Sequence, residues 1–190
     1  GGDNREVESD HFVYIYQQAV ESQVPALMKD CEDAYRILTP IFRWAPKEQT
    51  LILFQDAWDE HNGMAGVSPR PTIMLIAADT TPPSSIYEPG NFLRRTVFHE
   101  FTHILAMDAQ YGADAVIAAV FGRIMPVGDP LSILLTFCAA PPGELAPDWY
   151  LEGLSVWAET EFTGPGRGRN SFADMIMRMP VADNRLLPAE

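Results

Sequence analysis

Residues 92–107 constrain this chain more than any other segment. Phe92, Phe98, Phe101, Ile104 and Leu105 flank the segment on nearly every side, and Asn91, after Pro89-Gly90, supplies an N-cap. The spacing predicts a buried helix over about 92–107. A buried helix must account for each polar group it carries, and this one holds His99, Glu100 and His103 at its centre. Two histidines four apart project from one helix face, a turn from each other, and can reach a single tetrahedral ion. Glu100 sits about a quarter-turn away, where it can take a proton from water at the ion's open position. The bland alternative is a helix with two incidental histidines. A third ligand elsewhere in the chain decides between the two.

Bulk properties narrow the field. The 190 residues suffice for one domain, or two small lobes, with a core of its own. No apolar run reaches the length of a membrane span and nothing at the start resembles a signal peptide, so no membrane insertion is expected. A net charge of −13 and a pI near 4.6 repel phosphate backbones and anionic membranes, which argues against nucleic acid as a partner. Cys31 and Cys138 lie far apart in no metal-like spacing and read as buried thiols. Gly1-Gly2-Asp3-Asn4 reads as a trimmed start, which with the acidic surface points weakly to an extracytoplasmic location. The abrupt Leu187-Pro188-Ala189-Glu190 ending reads as that of a piece of a longer protein with a further domain.

Along the chain, residues 1–10 are polar and expected to fray. Phe12, Tyr14 and Tyr16 alternating with Val13 and Ile15 predict a strand. Pro25 and the spacing of Leu27, Cys31, Ala34, Tyr35 and Leu38 predict a helix over 24–38 that ends before Pro40. Further strands are expected at Thr50 to Phe54 and Thr72 to Ala77, with a polar, Gly- and Pro-containing connection between them. Residues 80–85 are loop. The second half reads as helical: an apolar stretch over 113–125, a helix from Asp129-Pro130 to Cys138, a break at Pro141-Pro142-Gly143, and a helix from Pro147-Asp148 through Phe162. Residues 164–169 form a Gly/Arg connector, followed by a short helix over 171–179. His11 and His61 read as ordinary surface or core histidines.

Catalytic metal sites of this kind generally take three protein ligands and leave a fourth position open. Ala106 and Ala109 stand where a metzincin would have its glycine and third histidine, so that pattern is excluded and the third ligand should be a carboxylate. Asp129 and Asp148 are better explained as helix caps, Asp108 lies too near the motif, and Asp114 is a weaker option at a helix start. Glu152 sits one turn into an apolar helix, with Tyr150, Leu154, Trp157, Ala158 and Phe162 as the expected core stripe, where a charge would be expensive without a purpose. Glu159, two turns on, either orients His99 or His103 or is an exposed helix glutamate.

Pro147-Asp148-Trp149-Tyr150-Leu151-Glu152-Gly153-Leu154-Ser155-Val156-Trp157-Ala158-Glu159 resembles the second signature of the gluzincin metallopeptidases, particularly the peptidase-MA-like and aminopeptidase-N-like groups. Paired with His99-Glu100-Phe101-Thr102-His103, the resemblance covers both halves of a site. It implies that His99, His103 and Glu152 bind Zn2+, that Glu100 is the general base, and that the substrate is a peptide or protein. The implied fold is α+β: a zincin-like two-lobe single domain, with a mixed sheet and the motif helix in an N-lobe over about 10–110 and a helical C-lobe over about 111–190. The 49 residues from His103 to Glu152 exceed the spacing in aminopeptidase-N-like enzymes, and no Gly-x-Met-Glu-Asn exopeptidase motif precedes the first signature. The oxyanion donor is unassigned, with Tyr111 and Tyr150 as candidates, because neither Tyr nor His follows Glu152. Thr72 to Ala77 is the expected edge strand for pairing with extended substrate. A non-catalytic peptide- or partner-binding module on the same fold is the alternative.

Overall fold

The computed structural model describes residues 4–56, 62–77, 92–110, 115–116, 128–130, 133–134, 142–164 and 178. Among these, five strands form one mixed sheet and three α-helices accompany it. The strands are β1 (Asn4–Glu8), β2 (Phe12–Gln17), β3 (Thr50–Gln55), β4 (Asn62–Gly66) and β5 (Thr72–Ile76); the helices are α1 (Val24–Phe42), α2 (Phe92–Asp108) and α3 (Asp148–Thr163). The sheet order is β1-β2-β3-β5-β4. β2, β3 and β5 run parallel, while β1 and β4 are antiparallel strands at the two edges.

Alternation explains the three central strands. Tyr14 pairs in register with Ile52, and Ile52 with Ile73; Tyr16 pairs with Phe54, and Phe54 with Leu75. All of these are buried, whereas Val13, Ile15, Leu51, Leu53 and Met74 on the opposite face are only partly so. One face therefore holds the core with α1 and α2. Aromatic contacts seat α2 there: the Phe101 ring lies 5.5 Å from Phe12 and 5.9 Å from Tyr35. Such pairs add about 0.5–1.5 kcal/mol beyond the area they bury. Arg94 fastens α2 to α1 through Asp30 (2.8 Å) and Asp33 (3.0 Å), and Trp44 Nε1 donates to buried Asp108 at the far end of α2 (2.9 Å). Cys31 is a buried free thiol in this core; Cys138 lies outside the described residues.

Four expectations need correction. The polar start does not fray: Asn4–Glu8 pairs with β2 as a mostly exposed strand, held by backbone hydrogen bonds with Val7 alone of its side chains packed against the core. α1 runs through Pro40 to a left-handed Arg43 cap. A proline in the last turn forfeits one intrahelical bond near an end where several carbonyls are unpaired anyway. The connection after β3 contains β4, whose Asn-Gly-Met-Ala-Gly sequence lacks the branched alternation that marks a strand. Consequently Thr72 to Ala77 is not an edge: β5 is paired on both sides, and β4 is the edge. The expected helices over 113–125, 129–138 and 171–179 lie largely outside the described residues, as do the loop 80–85, Asn91 and His61.

The turn Pro142–Leu145 leads into α3 and leans on the end of α2. A Cβ at Gly143 would run into the carbonyl oxygen of Ala106, so only glycine permits this approach. α3 then packs along α2 with Leu151, Ser155, Ala158, Glu159 and Thr163 buried. The expected stripe of Tyr150, Leu154, Trp157, Ala158 and Phe162 holds only in part: Ala158 is buried and Phe162 packs against the core, whereas Tyr150 and Trp157 are 48% and 44% exposed. The inward face is chosen by what α3 brings to α2, and that includes a glutamate.

Candidate metal centre

α2 supplies two members of a possible metal-binding group and α3 the third. His99 and His103 are 5% and 8% exposed, with ring centroids 4.9 Å apart and planes at 74°. Their Nε2 atoms lie 3.2 Å from each other. Glu152 brings Oε2 to 3.4 Å from His99 Nε2 and Oε1 to 3.3 Å from His103 Nε2. One donor atom from each of the three falls within 4.8 Å of the others, so the group could hold a metal ion.

The spacing tests the fit. Imidazole nitrogen and carboxylate oxygen bind a small tetrahedral ion at about 2.0–2.2 Å, which places neighbouring ligand atoms about 3.3–3.6 Å apart. The two distances to Glu152, 3.3 and 3.4 Å and each to a different carboxylate oxygen, lie at the lower end of that range, and the 3.2 Å between the imidazole nitrogens falls just below it. Two imidazoles and one carboxylate suit a transition ion and not Ca2+ or Mg2+, which prefer all-oxygen sites. Without an ion, two ring nitrogens facing each other beside a carboxylate would need at least one of them protonated.

Glu159 completes the surroundings. It is fully buried and its Oε2 lies 3.2 Å from His99 Nδ1. An ionised carboxylate at this place would only accept, and a neutral imidazole donating to it from Nδ1 would turn its Nε2 lone pair to the candidate ligand group. The buried carboxyl on α3 is therefore that of Glu159. Glu152 itself has a 56% exposed side chain, so the sequence argument from burial that singled it out applies instead to Glu159.

Glu100 is buried on the same helix and lines the same cleft of about 420 Å³, together with Gly63, Met64 and Ala65 of β4, Met107, Asp148 and Leu151. Sequence reasoning missed the β4 residues. An isolated glycine in a short extended segment signals a close backbone approach, and Gly63 makes one to Glu100. Asp148 is the first residue of α3, with Pro147 at the cap, and faces the cleft. Asp108 is bonded to Trp44, and His11 pairs with Glu32 (2.7 Å) and stacks on Tyr35, so neither joins the centre. Tyr150 is exposed beside Trp149 and does not line the cleft; Tyr111 and Asp114 lie outside the described residues. Compared with protein-family models, curated proteins and solved structures, the chain matches none, and the centre is read from its own geometry.

Proposed function

We propose that this protein is a zinc-dependent peptidase of zincin-like fold, with His99, His103 and Glu152 as the metal ligands and Glu100 as the general base. The observation that carries the reading is the convergence of two Nε2 atoms and one carboxylate, 3.2 to 3.4 Å apart, in a cleft that Glu100 also lines. Zinc bound there would polarise a scissile carbonyl and lower the pKa of an attacking water. Glu100 takes that water's proton and returns it to the leaving amine. Glu159 holds the His99 ring in the tautomer that leaves Nε2 free to coordinate.

The sheet edges support an extended substrate. β1 carries exposed Arg5, Glu6 and Glu8, the kind of charge that blocks strand addition. β4 is uncharged, and its Gly63, Met64 and Ala65 line the cleft, so a peptide laid against these three would pass the ligand group.

Elemental analysis of protein purified without chelators should find about one zinc per chain. Glu100→Gln should keep the metal and lose peptide hydrolysis. Parent-level hydrolysis by that variant would rule out the mechanism, and iron in place of zinc would rule out the metal assignment. A zinc-loaded parent that turns over no member of a diverse peptide library would instead favour the binding-module alternative.

A further inference from the structure

Gly63 lies on the edge strand, pairing in register with buried Leu75, so both point toward the helix layer. Two residues along, Ala65 pairs with buried Ile73 and carries a Cβ in the same layer. Gly63 has no such room. A Cβ there would lie 2.6 Å from Glu100 Oε1, 2.9 Å from Glu100 Cγ and 2.7 Å from Thr96 Cγ2. Thr96 is held by its own hydroxyl, which donates to the Phe92 carbonyl (3.0 Å). The Glu100 side chain thus rests directly on the backbone of β4. At Gly66, on the same strand, a Cβ would meet nothing within 4 Å.

We infer that Gly63 is a positioning residue for Glu100: the bare backbone of β4 is the wall that sets where the base carboxylate stands relative to the His99–His103–Glu152 group. This role rests on the proposed reading of Glu100 as the base. Any side chain at 63 pushes the carboxylate off that wall while leaving the three ligands, which come from α2 and α3, in place. The strand edge that would align a substrate and the surface that aligns the base are then one element, so their spacing is fixed by a single backbone.

Two measurements test this, one of them independent of turnover. In chelated protein, Gly63→Ala should lower the thermal midpoint by roughly 2–10 °C, the range expected for overpacking a chain of this size. The same substitution in a Glu100→Ala background should lower it less, because the two contacts to Glu100 are gone and only the one to Thr96 Cγ2 remains. Gly66→Ala should shift the midpoint little in either background. In the zinc-loaded enzyme, Gly63→Ala should keep full metal content and a KM within about twofold of the parent while kcat falls at least tenfold, the scale of a misplaced general base. Equal destabilisation in both backgrounds, loss of metal together with activity, or an unchanged kcat would overturn the inference. If the parent hydrolyses no peptide, the peptidase reading fails but the stability cycle still reports whether Gly63 seats Glu100.

Discussion

Glu159 Oε2 lies 3.2 Å from His99 Nδ1, and this one contact joins the far end of α3 to the middle of α2 behind the ligand group. Glu159 is fully buried, two turns beyond Glu152, so one helix carries both a proposed ligand and the carboxyl beside another proposed ligand. Removing the charge while keeping the shape isolates the orienting role. Glu159→Gln should weaken metal binding by about 10–100-fold, as loss of such partners does elsewhere. Competition with a chelator of known affinity reads this directly, and unchanged affinity would show that the His99 tautomer does not depend on Glu159.

The ligand group spans two helices, so an ion there should hold them together. At 100 times the dissociation constant, a ligand that binds only the folded state adds about 2.7 kcal/mol, or roughly 5–10 °C in thermal midpoint for a chain of this length. Chelation should remove the increment in the parent. In His103→Ala, metal should give little or no increment, and an equal rise in that variant would place the ion elsewhere.

Two glycines around α3 should respond in opposite directions. A Cβ at Gly143 runs into backbone at Ala106, which cannot rotate away, so Gly143→Ala should destabilise by about 1–3 kcal/mol and loosen α3 against α2. A Cβ at Gly153 meets nothing within 4 Å, and its position inside α3 favours alanine. Gly153→Ala should therefore stabilise by about 0.5–1 kcal/mol. Denaturant titration of both variants checks the pair; equal losses would mean that helix docking does not depend on Gly143.

Acid should weaken the fold at the start of β2. Burial pushes the Glu32 carboxyl upward, but hydrogen bonds from Ser9 Oγ (2.6 Å), His11 Nδ1 (2.7 Å) and the His11 backbone N–H (3.1 Å) outweigh it and hold its pKa below the usual carboxylate value. The folded state therefore favours the ionised form. The resulting stabilisation is complete above the ordinary carboxylate range and lost as pH falls through it. Between about pH 6 and pH 3, the parent should lose more thermal stability than Glu32→Gln. Parallel losses in the two proteins would assign the acid sensitivity to other carboxylates, such as Asp33, which Arg36 and Arg94 also hold low.

Local sequence determined those parts of the protein whose burial is local in origin. Alternating Phe12, Tyr14 and Tyr16 marked β2, comparable patterns marked β3 and β5, and the His99–His103 spacing marked a shared helix face. Glu152 was legible from its place on a helix and from a resembling signature, although not for the reason its burial suggested. Only tertiary structure decided the edges and the orientation of α3. β1 and β4 exist because a neighbouring strand offers backbone hydrogen bonds, which leave no periodic mark in Asn-Arg-Glu-Val-Glu or Asn-Gly-Met-Ala-Gly. α3 turns Glu159 inward against the His99 imidazole while Ala158 and Phe162 beside it pack on the apolar core, and Trp157 and Tyr150 stay exposed. Periodicity records how much a segment buries, whereas the chemistry of the partner decides which side it buries.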